Sequence, residues 1–143
     1  MNIAEALLAI DAGKVKAHAK EELEIPRLSE MFGEPFVLEL KQIPSRRIRE
    51  LQDMAIEIGP DGKPQKADMY KVQLGLLCDG IANRDFDNKE VLQKFKAGSR
   101  KDLFQILFNA GEIQEIADHV SNLCGFGKQA TKKFEEQAEE VKN

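Results

Sequence analysis

The segment from Ala67 to Ala82 constrains the fold most, because its apolar residues surround more than half of a helix. At helical spacing they fall on several sides of one cylinder: Met69, Tyr70, Val72, Leu74, Leu76, Leu77 and Ile81. A helix that is apolar nearly all round is normally enclosed by other elements. The sequence therefore predicts a helical core built around this segment.

Amphipathic helices are predicted on both sides of this central segment. One begins at Pro44-Ser45, and its apolar stripe consists of Ile48, Leu51, Met54 with Ala55, and Ile58. Asp87 and Ser99 are placed to cap two further helices, and another is expected from Glu112 to Leu123. At the N-terminus, residues 2–12 read as a short helix that Asn2 caps and Gly13 ends.

Two stretches, 21–28 and 35–43, read as strands, and the second alternates between apolar and polar residues. Pro26 would then lie at a sheet edge or a bulge, and the segment with Gly33 and Pro35 would form the turn. An isolated hairpin is marginal in water, so helices must cover it. The predicted fold is mainly α with a small β-hairpin (α+β). We expect a single α-rich domain over 1–125, the hairpin at about 21–43, and a charged helix or tail over 126–143.

Size and charge exclude several classes of protein. The chain has 143 residues, a formal net charge of −4 and two cysteines. A weakly acidic chain is not a general polyanion binder, and two cysteines do not form a disulfide framework. No apolar run is long enough for a membrane span, and Glu5 interrupts the apolar N-terminus, which disfavours a signal peptide.

A search for catalytic, metal or cofactor chemistry finds no convergent set of residues. His18 and His119 have no histidine or cysteine partner at metal-ligand spacing, so neither is expected to bind a metal. Cys78 and Cys124 lie in apolar contexts and read as small buried hydrophobes in reduced form. We therefore expect no enzyme activity and no cofactor.

An arginine cluster opens the helix at Ser45. Arg46, Arg47 and Arg49 could contact a phosphate group there, where the helix dipole also favours an anion. The alternative is that nearby carboxylates neutralise the cluster and leave an ordinary solvated face. The carboxylates considered for this are Glu34, Glu39, Glu50 and Asp53.

Two stretches carry a family resemblance: EIPRLSEMFGEPFVLELKQIPSRRIREL and DFDNKEVLQKFKAGSRKDLFQILFNAGEIQEIADHVSNLCGF. Their features include the Phe-Gly-Glu-Pro-Phe turn, the Asp-Phe-Asp-Asn-Lys-Glu segment and the closing Gly-Phe. Together they resemble the XkdN-like tail assembly chaperones of long-tailed phages and prophages. The resemblance covers roughly residues 20 to 127.

The resemblance implies a non-enzymatic role. Such proteins act in the host bacterial cytoplasm, where they bind the tape measure protein and keep it soluble while tail tube subunits polymerise around it. They are absent from the finished virion. Many members of the group also have a longer form, made by ribosomal frameshifting, that can recruit the tail tube protein. In this chain such an extension would begin near the charged tail from Lys128 onward.

Two apolar seams are candidates for binding such a helical client. One is the face of the N-terminal helix with Ile3, Leu7 and Ile10, and the other is the tail seam with Phe126, Phe134 and Val141. The alternative is that both seams pack on their own domain, which is commoner for any single helix. Homo-oligomer formation stays open. A second candidate function is a small phage-derived nucleic-acid-binding regulator that uses Arg46, Arg47 and Arg49.

Overall fold

A computed structural model describes residues 2–56, 58–64 and 68–126. These residues form eight α-helices, two strands and one short 3-10 helix, Arg84–Asp87. The elements are α1 Ile3–Ala9, α2 Ala12–Lys16, β1 Lys20–Glu24, α3 Pro26–Phe32, β2 Val37–Lys41, α4 Ser45–Met54, α5 Met69–Gly80, α6 Lys89–Lys94, α7 Arg100–Leu107 and α8 Ala110–Leu123. The predicted class, mainly α with a small antiparallel hairpin, is confirmed.

Helix α5 is the central helix, as its apolar circumference predicts. Val72, Leu76 and Leu77 on this helix are fully buried. It packs most extensively against α8 and also contacts α4 and α7. At its last residue, Gly80, a β-carbon would lie 2.6 Å from both methyl groups of Val120. The absence of a side chain at this position therefore sets how closely α5 and α8 approach.

The two strands form an antiparallel pair in which Leu23 lies opposite Leu38 and Glu21 lies opposite Leu40. Leu38 and Leu40 are buried beneath the helices, whereas the side chains of β1 alternate between half-buried and exposed. The apolar face of β2 therefore anchors the hairpin to the helical core, as an isolated hairpin requires.

The segment that follows α5 covers the outer edge of β2. The Ala82 N–H donates to the Glu39 carbonyl at 2.7 Å, and the Glu39 N–H donates to Asn83 Oδ1 at 2.7 Å. The Asn83 amide nitrogen also donates to the Val37 carbonyl at 3.3 Å. These bonds satisfy backbone groups that a two-stranded sheet would leave open on this side.

The prediction for residues 21–28 is wrong in its second half. The strand ends at Glu24, and Pro26 is the first residue of helix α3, which ends where Gly33 takes a left-handed φ of 73°. Proline suits this first helical position because its fixed φ matches the helix and its missing N–H would have no intrahelical partner there. The connection between the strands therefore contains a helix rather than a simple turn.

The N-terminal helix is shorter than predicted. The side chain of Asn2 does accept the Glu5 N–H at 2.8 Å, but α1 ends at Ala9. Gly13 does not end that helix; it lies inside α2, a separate single turn capped by Asp11.

Two further details of the helix predictions need correction. Asn88, rather than Asp87, caps α6, since its side chain accepts the N–H groups of Glu90 and Val91. The sequence predicts that Met54 and Ile58 lie on the buried stripe of α4, but both side chains are exposed. Met54 is the last residue of the helix, and Ile58 lies beyond its end. The cap at Ser99 is confirmed.

Helix α8 begins with a reciprocal capping box that an arginine from α3 extends. Asn109 Oδ1 accepts the Glu112 N–H at 2.9 Å, and the Glu112 carboxylate accepts the Asn109 N–H at 3.0 Å. Arg27 donates two hydrogen bonds to that carboxylate and a third to the Leu107 carbonyl. The hydrogen bond from Arg27 is the main reason that the pKa of Glu112 lies below its ordinary value.

This lowered pKa makes the fold sensitive to acid. A carboxyl group whose pKa is lower in the folded state stabilises the fold above its unfolded pKa, about 4.3, and the contribution is lost as the pH falls through the folded pKa. We expect Glu112→Gln to lower the melting temperature at pH 7. The difference in melting temperature between this variant and the unaltered protein should disappear as the pH approaches 3. Exposed Glu115, replaced by glutamine, is the matched control. A Glu112→Gln deficit that stays constant from pH 7 to 3 would contradict this role.

Candidate binding surfaces

The N-terminal segment, defined here as helices α1 and α2, has no buried residue. Ile3, Leu7 and Ile10, the predicted face, are 80%, 64% and 46% exposed. Leu8 at 88% and Val15 at 59% extend the exposed apolar surface, although neither was among the predicted residues. Among the described residues, this segment therefore presents apolar side chains to solvent rather than to its own core.

The tail seam is only partly within the structure. Phe126 packs partly buried against the hydrophobic core, and its N–H donates to the Ser121 carbonyl at 3.2 Å. Phe134 and Val141 lie outside the described residues. The first residue of this seam is therefore engaged with the core.

The arginine cluster on α4 is largely neutralised. Arg47 pairs with Asp79 on α5 and with Glu50 at 3.0 Å, and Arg49 pairs with Asp53 at 3.5 Å. The hydrogen bond to Asp79 is the main cause of the raised pKa of Arg47. Glu50 and Asp53 are two of the predicted partners, whereas Asp79 is 32 positions from Arg47 and was missed.

The remaining members of that prediction do not take part. In the described part of the chain, Glu34 and Glu39 form no ion pair with the cluster, and exposed Arg46 forms none at all. The cluster thus offers one unpaired cation, which is a weak basis for binding a phosphate backbone.

A cleft of about 540 Å³ lies between the end of β2, the start of α4 and the end of α5. Its charged lining consists of Lys41, Arg47, Arg84, Arg100, Asp79 and Asp87, and His18 lies beside them. Asp79 pairs with Arg47, and Asp87 pairs with Arg100. We name this the cationic cleft. It joins residues from four distant parts of the sequence, so no local pattern could predict it.

Arg100 is the most highly connected residue of the cleft. Its guanidinium donates to both carboxylate oxygens of Asp87 at 2.9 Å. It also donates to the backbone carbonyls of Cys78, Ile81 and Asn83 at 2.8–2.9 Å. Arg100 therefore holds the C-terminal end of α5 to α7, and its role is structural.

The histidines and cysteines form no site for a metal or a nucleophile. His119 Nδ1 lies 2.8 Å from a carboxylate oxygen of Glu21, and no group of three metal-ligating side chains occurs in residues 2–56, 58–64 and 68–126. Burial raises the pKa of both Cys78 and Cys124, which keeps these thiols protonated near neutral pH. Within the same ranges, no helix combines the length and apolar character needed to cross a membrane.

The comparison with protein families decides the identity of the chain. The family described as Phage XkdN-like tail assembly chaperone protein matches residues 4–142. The chain belongs to this family. The match confirms the resemblance over residues 20 to 127 and extends it to both ends, so that it includes the N-terminal segment and the tail.

Solved structures support the fold of this XkdN-like chain. The crystal structure of the protein YqbN matches with a TM-score of 0.53 and 19% sequence identity, over 78% of this chain and 91% of that one. At this identity the likeness concerns the fold alone. No curated protein matches the chain. Membership of the tail assembly chaperone family assigns an assembly role rather than a reaction.

Proposed function

We propose that this chain binds the tape measure protein in the host bacterial cytoplasm and keeps it soluble during tail assembly, without entering the virion. The observation that carries the proposal is the exposed apolar face of α1 in a member of the tail assembly chaperone family. A long helical client with apolar seams would aggregate unless a partner covered those seams.

The N-terminal segment suits such a client in its size and surroundings. Ile3 and Leu7 are four residues apart on one helix, so both can enter an apolar groove on a client helix. Glu5 and Asp11 precede Lys14 and Lys16, and these charges surround the apolar face. A charged rim around an apolar centre is typical of binding surfaces that must stay soluble before the partner arrives.

The C-terminal tail is a second part of the proposed binding surface. Phe134 and Val141 would add to the client surface, and a frameshifted longer form that extends the chain beyond Lys128 would recruit the tail tube protein. This part rests on the family and on the thin apolar seam of the sequence.

Ile3→Asp combined with Leu7→Asp is expected to abolish the protection of the client. Burying each of these side chains is worth about 1.5–3 kcal/mol, so losing both weakens binding by more than about a hundredfold. The measurement is the soluble fraction of the co-expressed tape measure protein. Since neither residue is buried in the described structure, the variant should fold normally, which circular dichroism checks.

Ile106→Asp is the matched control, because Ile106 is an exposed aliphatic residue on α7, outside the N-terminal segment. It is expected to leave the client soluble. If the double variant protects the client as well as the unaltered chain does, α1 is not the client-binding surface. If the unaltered chain itself fails to raise the solubility of the client, the proposed function is wrong.

A further inference from the structure

The lining of the cationic cleft contains more cationic than acidic side chains. Its two acidic residues, Asp79 and Asp87, are already paired with Arg47 and Arg100. His18, Lys41 and Arg84 are exposed, and their side chains form no hydrogen bond or ion pair with any residue in the described ranges. The whole chain has a net charge of −4, so the cleft has the opposite sign to the molecule around it. Such a cleft attracts carboxylates.

The C-terminal tail leaves the fold beside this cleft. Cys124 Sγ accepts the Ile43 N–H at 3.4 Å and lies 3.9 Å from the Ile43 carbonyl oxygen. Ile43 is itself part of the cleft wall. The last described residue, Phe126, follows two positions later, so the tail starts next to the cleft.

One block of the tail carries the matching charge within reach, although four lysines elsewhere in the tail, at positions 128, 132, 133 and 142, offset it over the tail as a whole. Its sequence contains the acidic block EEQAEE, which places four glutamates at positions 135, 136, 139 and 140. Glu135 is nine residues beyond Phe126, and nine residues span at most about 30 Å when extended or about 14 Å as a helix. Either span is enough for the acidic block to reach a cleft that borders the start of the tail.

We propose that the acidic block of this chain's own tail docks in the cationic cleft, with its carboxylates on Lys41, Arg84 and His18. His18 lies two residues beyond Lys16, the last residue of the N-terminal segment. Docking in the cleft therefore places the tail at the base of that segment, so the two apolar seams would lie on one side of the molecule. The contact is intramolecular and does not depend on the identity of any client.

Zero-length carbodiimide crosslinking of the full chain tests the contact directly, because it joins a glutamate to a lysine only when the carboxyl group and the amine are in direct contact. We expect peptide mapping of the monomer to find Lys41 joined to the acidic block. This product should be at least about fivefold more abundant than links from the block to Lys63, an exposed lysine outside the cleft, and should be lost near 0.5 M NaCl. Lys41→Arg keeps the charge and should remove the product.

Other outcomes overturn the proposal. Equal links to Lys41 and Lys63 mean that the tail has no preferred site. Links found only in a crosslinked dimer mean that the tail binds a second copy. By contrast, if the Lys41 link forms but the chain does not raise the solubility of the tape measure protein, docking is supported and only the proposed function is contradicted.

Hydrogen exchange provides a second, independent measurement. Lys41→Glu with Arg84→Glu should raise amide exchange in the acidic block by at least about fivefold, and adding Glu135→Lys with Glu139→Lys should restore the original rate. Unchanged exchange in the first variant, or a failure of the charge-swapped variant to restore protection, contradicts docking in the cleft.

Discussion

Replacing Arg100 by alanine is expected to lower the free energy of unfolding by about 3 kcal/mol or more. The change removes the two hydrogen bonds to Asp87 and leaves the carbonyls of Cys78, Ile81 and Asn83 without their donor. Each partly buried polar group that loses its partner costs about 1–3 kcal/mol. The guanidinium also lies 5.7 Å from the centre of the Phe104 ring, a contact worth about another 0.5–1 kcal/mol.

Urea unfolding measures this effect, and two variants control it. Arg100→Lys should give an intermediate loss, because a lysine ammonium cannot span a carboxylate and three carbonyls at once. Arg49→Ala should change stability by less than about 0.5 kcal/mol, since its ion pair with Asp53 is exposed. Equal losses for Arg100→Ala and Arg49→Ala would show that the guanidinium does not hold α5 to α7.

Replacing Gly80 by alanine is expected to cost about 2 kcal/mol even though alanine is the better helix former. The new β-carbon would lie 2.6 Å from both Val120 methyl groups, and Val120 is fully buried. Valine is stiff within a helix and cannot rotate away easily. Overpacking of this kind costs about 1–3 kcal/mol, which exceeds the helix propensity gained.

Gly111→Ala is the matched control, because its nearest contact would be Asn109 Oδ1 at an ordinary 3.7 Å. This variant should be neutral or slightly stabilising in thermal unfolding. Adding Val120→Ala to Gly80→Ala should make the double variant more stable than the sum of the two single effects predicts. Strict additivity would mean that the α5–α8 approach tolerates a side chain at Gly80.

The parts of the fold that could be predicted are set by interactions between residues that are close together in the sequence. The apolar circumference of α5 and the caps at Asn2 and Ser99 arise within a few residues, so the sequence displays them directly. The alternation of apolar and polar residues in β2 likewise predicts which face of the strand is buried. Helix α3 was missed because Pro26 was interpreted as a strand edge, although proline followed seven residues later by Gly33 is also typical of a short helix.

The binding surfaces were less predictable, because they depend on contacts between distant residues. The face with Ile3 and Leu7 could be read from helical spacing, but its exposure could not, since exposure depends on what the rest of the chain covers. The neutralisation of Arg47 by Asp79 and the grouping of Lys41 with Arg84 arise only when β2, α4 and α5 meet.

The edges of the hairpin have a consequence for aggregation. Ala82 and Asn83 already occupy the flank of β2, and the solvent-facing side chains of β1 in the described structure are Lys20, Glu22 and Glu24. An extended foreign peptide that paired with the edge of β1 as an additional strand would have to desolvate these ionic groups. The hairpin is thereby a poor template for amyloid-like growth, which protects the chain from being recruited into an aggregate of another protein.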